Sequence, residues 1–216
     1  STTPNFLPLR SPQMSLTFYY SPQSSASPVH FTLEELGIPY DKVIIDIKAG
    51  AQKQPEFLKL NPNGRVPLLV HDGVAIFESA AIQIYLGETF GVEKGIYPAP
   101  GPKRGEVLKW IIWTNVTLGE TLSRYARSSG FYGPETERNP ATAAAAKTEI
   151  EGHLAIVEAA LQGKRYLTGD NLTIADMHLA SWLDYVRMMQ VDLAPFSTVS
   201  AWAASITSRP AYARGD

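Results

Sequence analysis

The stretch SLTFYYSPQSSASPVHFTLEELGIPYDKVIIDI, residues 15–47, decides how the chain is read. SLTFYY (15–20) is an apolar, aromatic run that stops at Ser21-Pro22, the pattern of a strand. Ala26, Val29, Leu33 and Leu36 then fall at helical spacing, with Glu34 and Glu35 off that stripe and Gly37 as terminator. YDKVIIDI (40–47) returns to strand character. Strand, helix and strand in succession make a βαβ unit, whose crossover brings the two strands together in parallel.

Downstream, the polar segment KAGAQKQ (48–54) leads to PEFLKL (55–60), a short helix or turn, and NPNG (61–64) is a turn signal. VPLLV (66–70) and VAIF (74–77) read as two strands joined by a hairpin loop at HDG (71–73). Residues 78–90 then read as a helix with Ile82, Tyr85 and Leu86 on its apolar stripe. The order βαβ-α-ββα is the thioredoxin-like arrangement, assigned to residues 14–90. Residues 91–102, dense in Gly and Pro, read as a linker. Residues 103–216 carry only helical patterns. One runs through Val107, Ile111, Thr114, Leu118, Leu122 and Tyr125, a second through Ile150, Leu154, Val157 and Leu161. A third takes Ala175, His178, Trp182, Val186 and Met189, and a short fourth Val199, Trp202 and Ile206. The expected fold is therefore α/β followed by an all-helical domain. Residues 1–13 have no periodicity and lack the apolar core of a secretory signal, so they read as an extended leader.

Composition narrows the chemistry. A formal net charge of −2 argues against nucleic acid as a main ligand, because phosphate binding needs a clustered positive surplus. No apolar run has the length of a membrane helix. Zero cysteines exclude a disulfide, cysteine-ligated zinc, an iron–sulfur cluster and any protein thiol nucleophile. The four histidines, His30, His71, His153 and His178, show no ligand spacing, so no metal site is expected.

Four strings carry a family resemblance: YYSPQSSASP (19–28), NPNGRVP (61–67), FESAAIQIYL (77–86) and LTGDNLTIAD (167–176). In this order they resemble the soluble, cytosolic glutathione S-transferases, over residues from about Met14 to Tyr212. The match looks like a bacterial serine-type member with some likeness to the zeta and beta classes. Ala26 stands where the zeta class has a cysteine, and Ile112 and Gly119 stand where the beta class has Asn and His. The resemblance implies a cytoplasmic detoxification transferase that uses glutathione as co-substrate. It would work as a homodimer, adding the glutathione thiolate to small hydrophobic electrophiles. The alternative is a binding protein of the same fold without catalysis.

The resemblance also assigns residues. A cis bond before Pro67 would turn the Val66 backbone toward an extended peptide. Arg65, Val66 and Pro67 therefore belong to the glutathione site. Glu78 would take a ligand ammonium, and Ser79 with the helix start beside it a carboxylate. Gln52 and Lys53 would meet the glycyl carboxylate. Trp113, Asn115, Thr117 and Tyr125, with Phe131 and Tyr132, would line the acceptor pocket. Thr173 and Asp176 form a capping box that supports folding.

Thiol activation requires a hydrogen-bond donor near the first strand–helix junction. Ser24 and Ser25 are the candidates there, with Tyr20 a lesser one. Pro28 lacks an N–H, which is costless only near a helix start. That places the cap at Ser25 and Ser24 before it. Likeness to the zeta class points to Ser24 as the thiol partner, and the spacing to Gly37 in the beta class points to Ser25.

Overall fold

The computed structural model describes residues 14–215; the leader assigned to residues 1–13 lies outside them. A four-stranded sheet is built from β1 (Leu16–Tyr20), β2 (Asp41–Ile44), β3 (Leu68–His71) and β4 (Val74–Phe77), in the order β2-β1-β3-β4. β1 and β2 are parallel, as the βαβ reading requires, with Tyr20 opposite Ile44. β3 runs antiparallel to both β1 and β4. β2 is four residues long where the sequence suggested eight, and all four are exposed. The Ile45 N–H still donates to the Tyr20 carbonyl at 2.7 Å, and its side chain turns inward to the core.

Alternation along β1 sends Leu16, Phe18 and Tyr20 into the core, while Tyr19 meets Phe57 of α2 (Pro55–Leu60) edge-on. Under the opposite face lie α1 (Ser27–Leu36) and α3 (Ser79–Leu86). Seven of the ten residues of α1, His30 and Thr32 among them, are buried because it is sandwiched between the sheet and the second half of the chain. α3 ends at Leu86 and passes into a wider π-helical turn at Gly87–Gly91. The Tyr97 ring lies against Gly87, where a Cβ would fall 2.3 Å from a ring carbon, so only glycine permits this contact.

The rest of the described chain is helical. α4 (Pro102–Trp113), a π-helical turn (Thr114–Leu118) and α5 (Gly119–Ser129) form one long rod; α6 (Pro140–Ala160), α7 (Ile174–Met188), α8 (Ser197–Thr207) and α9 (Pro210–Arg214) follow. α5 lies along α6, and α7 runs through the centre against α1, α4 and α8. The capping box is present. Asp176, fully buried at the start of α7, accepts from the N–H groups of Leu167 and Thr173 and from the Trp202 indole at 2.8–3.0 Å. Burial pushes its carboxyl pKa up despite those donors.

Candidate functional site

The entry to α1 separates the two serines. The Ser24 hydroxyl donates to the Ser21 carbonyl at 2.6 Å and accepts the Ala26 N–H at 3.1 Å, so it is consumed by the turn. Ser25 reaches across to the next segment and donates to the Val66 carbonyl at 3.0 Å. The helix starts at Ser27 with Ala26 in the cap position, which corrects the placement of the cap at Ser25. The missing N–H of Pro28 bounds the helix start from one side only. Gln23 holds φ 52°, and a turn closed by the Ser27 N–H on the Ser24 carbonyl at 3.0 Å delays the helix by one residue.

The NPNGR loop is built around Asn61, a buried side chain that sequence reasoning passed over. Its amide donates to the Arg65 carbonyl at 2.7 Å, and its oxygen accepts from the N–H and side-chain amide of Asn63. An Asx-type turn of this sort replaces missing backbone partners. It delivers Val66 and Pro67, joined by a cis bond, to the start of β3.

Glu78 holds φ 72°, ψ 118°, a conformation that costs a non-glycine residue on the order of 1–3 kcal/mol. The turn it makes places Ser79 as the first residue of α3, where free N–H groups and the helix dipole favour an anion. Asn115, from the π-helical turn of the second half, donates to Ser79 Oγ at 2.8 Å.

These pieces surround a polar cavity of about 350 Å³. Ser25, Asn63, Arg65, Val66, Pro67, Glu78, Ser79 and Asn115 line it. An apolar cavity of about 440 Å³ adjoins it, lined by Leu122, Ala126, Phe131, Tyr132, Tyr185 and Met188, among others. Ser25, Gly119 and Trp182 line both. Gly119 is small for a reason: a Cβ there would meet the Trp182 ring at 3.1 Å and the Thr114 carbonyl at 3.2 Å. Glu120 stands at the rim, and its hydrogen bond to the Arg124 guanidinium holds its carboxyl below the usual range.

Other sequence candidates fall elsewhere. Tyr20 is buried in the core, stacked on Phe18 at 5.2 Å and against His30 at 4.6 Å. Gln52 and Lys53 do not line the polar cavity. Lys53 leans over the Asn63 carbonyl at 3.5 Å, beside the wall, and the Gln52 side-chain oxygen is buried. Trp113 packs edge-on against Trp110 and His153, and neither it nor Thr117 nor Tyr125 lines the apolar cavity. Asn115 lines the polar cavity and not the apolar one. These four were assigned by the resemblance; the apolar stripe read from the sequence, Val107, Ile111, Thr114, Leu118 and Leu122, stays buried through the π-helical turn at Thr114–Leu118. Trp182, Tyr185 and Met188 come from α7 and Met189 from its C-terminal cap, which no local pattern tied to the site. Among the described residues no group of three or more His, Asp or Glu could hold a metal ion, and no helix is long and apolar enough to cross a membrane.

Comparison with known proteins agrees with this geometry. Residues 14–88 match the glutathione S-transferase N-terminal domain, and residues 123–210 match the glutathione S-transferase C-terminal domain. Among solved structures, the glutathione transferase URE2P8 from Phanerochaete chrysosporium, solved with oxidized glutathione, is 28% identical. It matches 95% of each chain at a TM-score of 0.84. A glutathione transferase from Burkholderia graminis, with two glutathione molecules bound per subunit, is also 28% identical. That match covers 93% of this chain and 87% of the other, at a TM-score of 0.84. Ure2p in complex with glutathione, at 23% identity and a TM-score of 0.85 over 95% and 94% of the two chains, shares the fold. With both halves matched and the two cavities meeting at the first strand–helix junction, the chain belongs to the glutathione S-transferase family.

Proposed function

We propose that this chain is a glutathione transferase that binds glutathione in the polar cavity and transfers it to a small hydrophobic electrophile held in the apolar one. The observation that carries the reading is Ser25. It lines both cavities just before α1, and its hydroxyl bonds across to Val66, whereas that of Ser24 is bound within its own turn. Glutathione's thiol has a solution pKa near 8.5, so only a few per cent is thiolate at pH 7. A hydroxyl donated to sulfur, together with helix N–H groups, favours the anion. Lowering the pKa by about two units corresponds to roughly 2.7 kcal/mol. Ser25 would rotate its hydroxyl from the Val66 carbonyl to the sulfur. The reacting electrons come from the thiolate, which bonds to the electrophilic carbon and either displaces a leaving group or adds across an activated double bond.

The remaining contacts follow from charge. Glu78 takes the γ-glutamyl ammonium, Ser79 and the α3 N-terminus take the adjacent carboxylate, and Val66 pairs with the cysteinyl backbone. Arg65, exposed at the rim, and Lys53, with Gln52 beside it, attract the glycyl carboxylate. The ligands of the two 28%-identical relatives support glutathione as the occupant. A cytoplasmic homodimer is part of the proposal. Exposed apolar side chains at Val74, Phe77, Ile112 and Val116 would suit burial against a second copy.

The second reading is a binding protein without turnover. It is favoured by the hydrogen bond that commits the Ser25 proton to Val66. Retention on immobilised glutathione followed by a conjugation assay with a chloronitroarene separates the two. Retention with turnover supports the transferase, retention without turnover supports the binding protein, and failure to be retained overturns both.

A further inference from the structure

A chain of side-chain hydrogen bonds runs behind the polar cavity and crosses between the two halves of the molecule. It starts at the Pro28 carbonyl in α1, which can only accept. The Gln83 side-chain nitrogen donates to it at 2.9 Å and lies 3.3 Å from His178 Nδ1. Because that nitrogen is a donor, Nδ1 is the acceptor and the ring proton sits on Nε2. His178 Nε2 lies 2.6 Å from Asn115 Oδ1, and the other end of the Asn115 amide donates to Ser79 Oγ at 2.8 Å. Every direction is thus set by the backbone carbonyl at the start. Ser79 Oγ is used as an acceptor by Asn115, so its own proton is left for a partner on the cavity side.

We propose that His178 is a positioning residue: through Asn115 it holds the Ser79 hydroxyl as a hydrogen-bond donor into the polar cavity, selecting an anionic group there. The proposal rests on the reading of this cavity as the glutathione site, and names the group by which the γ-glutamyl carboxylate is chosen. Gln83 and Ser79 lie one turn apart on α3, and His178 and Asn115, from α7 and the turn after α4, bridge them. Complete burial lowers the His178 pKa to about 3, so the ring is neutral across the physiological range and keeps one tautomer. A charged ring would donate from both nitrogens, and Gln83 could no longer face it.

The test compares glutathione with γ-aminobutyryl-cysteinylglycine, which keeps the ammonium and lacks the α-carboxylate, by calorimetry on the full chain. Ser79→Ala and Asn115→Ala should each weaken glutathione about ten-fold, the double variant no further, and none should change the analogue more than two-fold. His178→Phe should behave like Asn115→Ala, while His178→Gln, which can still donate to Asn115, should stay within about three-fold of the parent. Nitrogen NMR of labelled histidine in the unaltered chain should show the Nε2–H tautomer of His178 from pH 5 to 8, a readout independent of whether the variants fold. The Nδ1–H tautomer, equal losses for both ligands in Asn115→Ala, or multiplying effects in the double variant would each overturn the relay. If Ser79→Ala weakens glutathione and Asn115→Ala does not, the relay alone falls. If Ser79→Ala also has no effect, the reading of the cavity falls with it.

Discussion

The hydroxyl of Ser25 donates to the carbonyl of Val66 at 3.0 Å, across 41 residues of sequence. This bond ties the start of α1 to the loop before β3, and it sets the hydroxyl at the point where the polar and apolar cavities meet. Ser24, one residue earlier, is bound entirely within its own turn.

The two serines should therefore separate cleanly. Ser25→Ala should slow conjugation about 10²-fold and raise the pKa of bound glutathione toward its free value, as for loss of a positioned donor to an anion. Thiolate absorbance against pH reads the shift. Ser24→Ala should keep the depressed thiol pKa and lose about 1 kcal/mol of stability, because its two hydrogen bonds hold the turn before α1. An unchanged thiol pKa in Ser25→Ala would move the activation to the helix N–H groups.

Glu78→Ala removes the carboxylate next to Ser79 in the wall of the polar cavity. A charge-assisted hydrogen bond to a ligand ammonium is worth roughly 1.5–3 kcal/mol, so the glutathione KM should rise about ten- to a hundred-fold. kcat at saturating glutathione should change little. An unchanged KM in steady-state kinetics removes Glu78 from the site.

Phe131 and Tyr132 lie outside regular helix and are exposed, yet they line the apolar cavity. Replacing both with alanine should raise the KM for a large aromatic acceptor several-fold and leave that for glutathione unaltered. A parallel rise in both constants would mean that the two cavities are not separate subsites.

His178 gives a pH signature of folding. Its pKa falls from 6.5 to about 3 on burial, so the unfolded chain binds more protons between those values. Stability must then fall as the pH drops through 6.5, with a slope approaching about 1.4 kcal/mol per pH unit from this group. Denaturant unfolding between pH 6 and 4.5 should show that slope in the parent chain and lose it in His178→Gln. The carboxylates held low by partners, such as Glu120 and Glu149, act mainly below that window, and Asp176, held high by burial, acts in the opposite sense. Equal slopes in the two proteins would show that His178 is not the buried neutral group described.

Local pattern was enough for the architecture because each element here obeys a short-range rule. The residues of β1 alternate, α1 is closed by Gly37 in the left-handed region, and Thr173 and Asp176 make their capping box within four residues. At Val66-Pro67 and Glu78-Ser79 local pattern marked only a turn before a strand and a strand-to-helix junction; their assignment to the glutathione site came from the family resemblance. The site itself depends on contacts that sequence distance hides. Which serine faces the cavity depends on the Val66 carbonyl 41 residues away, and the partner of Ser79 is Asn115, 36 residues on. The acceptor wall was placed by resemblance on Trp113, Asn115, Thr117 and Tyr125, whereas the apolar cavity draws on Leu122, Ala126, Trp182 and Tyr185, residues of α5 and α7 that only the tertiary structure brings together. His178 looked like a lone histidine on an apolar stripe. Only the packing of α7 between α1 and α4 surrounds it with Gln83 and Asn115, and burial among groups from three other elements is a property no single segment carries.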